Sequence, residues 1–135
     1  MSPVRLDFRI DKVYRRSTFR ILVNATLADA IREMRRKNTE ELIVTDETGK
    51  GLGFIDSRDI VRLIAKKKAK PETRVKDIMS VPLITIKLSD TIEKACKIMD
   101  KFGIHHLVVV NEEGHVKGVI NDLDVLKIVV EKKKK

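Results

Sequence analysis

A chain of 135 residues can bury a core without disulfides, and its single cysteine, Cys96, leaves neither an intramolecular disulfide nor a Cys/His metal cluster to expect. The 29 Lys and Arg outweigh 20 Asp and Glu for a net charge of +9, which favours anionic partners by sign alone. No apolar run is long enough to span a bilayer, and Met1-Ser2-Pro3-Val4-Arg5 lacks the apolar stretch of a signal peptide, so a reducing, cytoplasmic setting is expected.

The first apolar run, 19–23, is too short for a helix and alternates enough for a strand. Thr26 with Asp29 resembles a capping pair, opening a helix whose stripe is Leu27, Ala30, Ile31 and Met34. Strands follow at 42–45 and 52–55, joined by Asp46-Glu47-Thr48-Gly49, a hairpin signal. A second helix carries Ile60/Val61 and Leu63/Ile64 and closes on Lys66-Lys67-Lys68, where cations favour the helix dipole. Lys70-Pro71-Glu72-Thr73 forms a joint. The same order then returns: a strand at 83–88, a helix with the stripe Ile92, Ala95, Cys96 and Met99, and strands at 107–110 and 116–120 around Asn111-Glu112-Glu113-Gly114. A last helix with Val125/Leu126 and Ile128/Val129 closes on the lysines at 132–135. Cys96, on an apolar stripe, reads as a buried, inert thiol.

Sliding the chain by about 65 residues superposes the two halves without gaps. Ile21 meets Ile86, Thr26 meets Thr91, Ala30 meets Ala95, Met34 meets Met99, Gly53 meets Gly118 and Asp59 meets Asp124. The fold class expected is α/β (α+β): two β-α-β-β-α repeats, 10–69 and 74–132, packed face to face with pseudo-two-fold symmetry. One repeat alone would leave an apolar sheet face open.

The runs that carry a resemblance are Val75-Lys76-Asp77-Ile78-Met79-Ser80 leading into Leu83-Ile84-Thr85-Ile86, Gly103-Ile104-His105-His106-Leu107-Val108-Val109-Val110, and Gly118-Val119-Ile120-Asn121-Asp122-Leu123-Asp124. The first half answers with Gly53-Phe54-Ile55-Asp56-Ser57-Arg58-Asp59. Their order and duplication resemble the CBS domain family, in which paired motifs form a Bateman module. The resemblance implies a regulatory module that binds AMP, ADP, ATP or S-adenosylmethionine in clefts between the motifs, dimerises, and signals to a partner protein.

Asp59 and Asp124 fall in the first turn of a helix, where a carboxylate can accept both hydroxyls of a ribose diol. By the resemblance, the adenine slot draws on the other motif, at Tyr14, Phe19 and Thr39 or at Met79, Ile84 and Ile104. One cleft would combine Asp124, Asn121, His105 and His106 with Tyr14, Phe19 and Thr39. Its imidazoles, cationic when protonated, suit phosphate, so this cleft ranks first, with AMP as the expected regulatory ligand. The other would combine Asp59, Asp56, Ser57 and Arg58 with Met79, Ile84 and Ile104. There Glu40 and Glu41 replace the histidines and oppose phosphate, although Arg58 compensates. The family usually has Thr or Ser where this chain has Asp56 and Asn121; Asn121 can still donate, whereas ionised Asp56 only accepts.

No GxSxG, HExxH or Walker glycine loop occurs, so an enzyme is not expected. Two other classes stay open. The clefts could be vestigial in a module that only joins subunits, or the basic chain could bind nucleic acid through phosphate contacts, though no RNP, KH or zinc-finger signature appears. Every site residue also has a plain alternative: Asp59 and Asp124 as helix-start charges, Tyr14 and Phe19 as core filler. The doubled apolar pairs on the last helices exceed one buried face and point to a homodimer.

Overall fold

The computed structural model describes residues 4–16 and 19–132. Met1 to Pro3 and the tail lysines Lys133 to Lys135 lie outside the described residues. The chain forms two compact units, one made of 19–83 and the other of 4–16 with 84–132.

In the first unit, β1 (Arg20–Leu22) runs parallel to β2 (Glu41–Thr45), which pairs antiparallel with β3 (Gly51–Asp56). The crossover from β1 to β2 is α1 (Leu27–Lys37), and α2 (Ser57–Ala65) follows β3 directly. The capping pair forms as expected: Thr26 Oγ1 accepts the Asp29 N–H at 3.1 Å, and Asp29 Oδ2 accepts the Thr26 N–H at 3.0 Å. In the hairpin, Asp46 Oδ1 accepts the N–H groups of Thr48 at 2.9 Å and Lys50 at 3.0 Å, and Gly49 takes the left-handed φ of 91° that the turn needs. The helix stripe and the inward strand residues meet in one core of Leu27, Ala30, Met34, Leu42, Val44, Ile55 and Ile60.

The second unit repeats this plan. Here β4 (Thr85–Lys87) is parallel to β5 (His106–Val110), which is antiparallel to β6 (Val116–Asn121), with α3 (Ile92–Phe102) and α4 (Asp122–Lys132). Both opening strands are shorter than the apolar runs that announce them, yet the flanks still join the ladder. Ile43 N–H donates to Phe19 O at 2.8 Å and Val23 N–H to Thr45 O at 2.9 Å.

Repeat and compact unit divide the chain differently. A 3₁₀ turn at Ile10–Lys12 puts Ile10, with no exposed surface, into the core of Ile86, Ile92, Leu107, Val109 and Ile120. Arg15 then pairs with Val119 of β6, each backbone N–H donating to the other's carbonyl at 2.9 Å. The matching 3₁₀ turn, Val75–Asp77, buries Val75 in the first core, and Ser80 pairs with Phe54 of β3. The segment opening each repeat thus completes the sheet of the other. The matched glycines follow from this. A Cβ on Gly53 would come within 2.5 Å of the Ser80 carbonyl oxygen, and one on Gly118 would overlap the Arg15 carbonyl and press on the Tyr14 ring.

Candidate ligand-binding sites

Strand β6 passes into α4 without a loop, so the side chains at this junction are fixed by two regular elements. Asn121 ends the strand. Its Oδ1 accepts the Asp124 N–H at 2.8 Å, while Asp124 Oδ2 accepts the Asn121 N–H at 3.0 Å. This reciprocal pair closes the start of α4 as a capping box. The other carboxylate oxygen, Oδ1, accepts from Arg15 Nε at 2.9 Å. Asp124 is mostly buried, its side chain 15% exposed, against 56% for Arg15. Tyr14 is half-buried and packs on the same core, with the Arg16 guanidinium 5.7 Å from its ring centre. His105 Nδ1 lies 3.9 Å from Asp122 Oδ2, both largely exposed, and the His105 carbonyl accepts the Asp122 N–H at 2.8 Å. His106 opens β5 opposite Asn121.

One unit therefore holds Asp124, Asn121, His105, His106 and Tyr14, whereas Phe19 and Thr39 belong to the other.

The β3–α2 junction is built alike but wired differently. Asp56 caps α2 by accepting the Asp59 N–H at 2.8 Å, and Asp59 Oδ1 accepts from Arg62, one turn along its own helix, at 3.2 Å. Ser57 N–H donates to the Glu40 carbonyl at 2.8 Å, the counterpart of Asp122 and His105. Arg58, Glu40 and Glu41 are exposed. Met79 packs on this unit's core near Gly53, while Ile84 and Ile104 pack on the core of the other unit. Thr39 and Ser57, assigned by sequence to different clefts, both line one open groove of about 440 Å³ between α1 and α2, with Ile31, Met34, Val61 and Ile64.

Two arginines escaped the sequence reading. The repeat alignment does mark them as departures, since Arg15 falls opposite Ser80 and Arg62 opposite Lys127. Nothing local shows that either reaches an aspartate. Cys96 is half-buried rather than fully buried, and that burial pushes its thiol above the usual range, so it stays protonated near neutral pH.

Two repeats of one β-α-β-β-α plan, each closed by an acid-bearing strand-to-helix junction, define a duplicated α/β module. The chain belongs to the CBS domain family, whose pattern matches residues 10–66 and 75–131. A protein of Methanocaldococcus jannaschii is 37% identical over 107 residues, covering 79% of this chain and 25% of that one. The chain thus spans about a quarter of that relative's length. The CBS domain protein PAE2072 from Pyrobaculum aerophilum, solved in complex with AMP, superposes with a TM-score of 0.74 at 22% identity, over 91% of this chain and 98% of that one. The CBS domain pair of protein MJ0100, in complex with 5′-methylthioadenosine and S-adenosyl-L-methionine, gives 0.74 at 24% identity over 97% and 100%. Both likenesses are of fold.

Proposed function

We propose that this chain is a cytoplasmic regulatory module that binds an adenosine-containing ligand, AMP foremost, at the β6–α4 junction, and passes the bound state to a partner protein. The observation that carries this reading is the Asp124 carboxylate, mostly buried and fixed by its capping contacts at a strand-to-helix junction. A ribose diol offers two O–H donors, and such a carboxylate is the acceptor that suits them. The AMP complex of the Pyrobaculum aerophilum protein and the adenosyl complexes of MJ0100 support the ligand class. Asp59, Asp56, Ser57 and Arg58 form the weaker second site, where Glu40 and Glu41 oppose a phosphate. No catalytic role is assigned. The module acts as a homodimer through the outer faces of its helices, where Val61, Ile64, Leu126 and Val130 stand exposed.

A ligand that binds only the folded chain stabilises it by RT ln(1 + [L]/Kd), about 2.7 kcal/mol at a hundredfold excess over Kd. AMP is therefore expected to raise the melting temperature by several degrees. Asp124→Ala should abolish most of that shift and Asp59→Ala should spare most of it. If the shift survives Asp124→Ala and disappears in Asp59→Ala, the ranking of the sites is reversed; if neither substitution changes it, the ribose assignment fails.

A further inference from the structure

We infer that Arg15 sets the ligand class of the Asp124 site, making it select adenosyl compounds that carry a 5′-phosphate over those that do not. The inference rests on the reading of Asp124 as ribose acceptor and adds to it a residue that the repeat pattern does not supply.

Both oxygens of the Asp124 carboxylate already hold a donor, and the two bonds differ in kind. The bond from the Asn121 N–H to Oδ2 is the reciprocal half of the capping box, so giving it up would leave a part-buried backbone N–H without its carboxylate. The bond from Arg15 Nε to Oδ1 comes from an exposed side chain on a rotatable stem. The cation of this pair is exposed and can swing into water at little cost, so the second bond is the one an incoming diol exchanges.

That exchange has a consequence for charge. Once displaced, the guanidinium stands beside the bound ribose without its carboxylate. A phosphate on the same ligand gives it a new anion and a planar, two-point match. A neutral nucleoside returns it only to water. A sulfonium ligand such as S-adenosylmethionine brings a second cation towards it. Of the other charged groups on these elements, His105 faces Asp122 and Arg16 lies over the Tyr14 ring.

The matching junction lacks this device. Ser80, opposite Arg15 in the repeat, has no cation to offer Asp59, whose arginine partner comes from its own helix. Nor is Arg15 needed as a strut, because the backbone pairing with Val119 holds the segment whatever the side chain.

The test is calorimetric titration of the full chain with AMP, adenosine and S-adenosylmethionine. Wild type, Arg15→Ser (copying Ser80) and Arg15→Gln (keeping the stem without the charge) are compared, with folding of each checked by circular dichroism. Wild type should bind AMP about tenfold or more tighter than adenosine, the scale of one charge-assisted contact. Both neutral variants should lose about tenfold in AMP affinity, hold or gain adenosine, and bring the ratio near one. A variant that binds AMP with the wild-type ratio overturns the role of Arg15 and leaves the ribose reading standing. Wild type that binds none of the three overturns the reading and this inference together. Should Arg15→Ser fail to fold, Arg15→Gln decides by the same ratio.

Discussion

Asp124 and Asp59 occupy matched positions in sequence and make unequal contacts in space. A surface helix-start charge is worth under about 1 kcal/mol, and the ion-pair partner of Asp59 is an exposed arginine one helical turn away. Asp124 closes a capping box and is largely buried. In the absence of ligand, Asp124→Ala leaves the Asn121 side-chain cap in place but strips the Asn121 N–H and Arg15 of their carboxylate, so it should cost about 1 to 2 kcal/mol, the scale of a charge-assisted hydrogen bond, and Asp59→Ala a few tenths. Urea denaturation of the two variants tests this; equal midpoints would mean the capping contacts add nothing. Glycine gives a second comparison. Gly118→Ala drives a Cβ into the Arg15 carbonyl, a backbone atom that cannot swing aside, whereas Gly103→Ala meets no atom within 4 Å and bears only the strain of a φ of 63°. Gly103→Ala should cost about 1 kcal/mol. Gly118→Ala should cost more and should loosen residues 4–16, seen as faster amide exchange at Arg15 and Val119.

Regular elements were legible where one residue's environment repeats along the chain. The stripes Leu27-Ala30-Met34 and Ile92-Ala95-Met99 are buried as their spacing requires, and Gly49 and Gly114 take the left-handed φ that their hairpins imply. The two 3₁₀ turns were not legible, because each sinks one apolar residue, Ile10 or Val75, and a single residue has no period. The exchange of opening segments was hidden for a related reason, since the repeat marks which residues are equivalent and not which sheet they join. At the candidate site, Asp124 could be read from the repeat and Asn121 from the family resemblance. Arg15 could not, lying 109 residues from its partner. Elements also carry the acid response. In α1 the Thr26 backbone N–H and hydroxyl hold the Asp29 carboxyl below its usual 3.8, and in the β2–β3 turn the Thr48 hydroxyl and the Lys50 N–H do the same for Asp46. A depressed folded pKa means stability present above 3.8 and lost as pH falls through the lower folded value. Asp46→Asn should therefore flatten the fall in melting temperature below about pH 4; an unchanged slope would show that the turn carboxylate has no part in it.

Across the whole molecule, charge and apolar surface point to different partners. If the +9 charge served nucleic acid, affinity for a random duplex would fall by orders of magnitude between roughly 50 and 200 mM salt, whereas AMP held by ribose hydrogen bonds should lose far less. Submicromolar duplex binding without a response to any adenosyl compound would reverse that ranking. The apolar surface argues for a second copy of the chain. On α2 the pair Ile60/Val61 splits, with Ile60 4% exposed and Val61 66%; on α4 Val125 is 3% exposed while Leu126 is 55%. Each last helix fills its own core with one face and still presents apolar side chains on another, and the duplication supplies this surplus twice. Surface patches of this kind mark interaction sites, and burial of each against a second copy of the chain is what the proposed homodimer requires. Val61→Glu and Leu126→Glu change side chains that the folded chain leaves in water, so each should move stability by no more than about 0.5 kcal/mol. Placed in an interface, each would bury an unpaired carboxylate and split the dimer. Sedimentation at tens of micromolar should then show a dimer for the wild type and a monomer for the double variant; a wild type that sediments as a monomer would overturn the assembly.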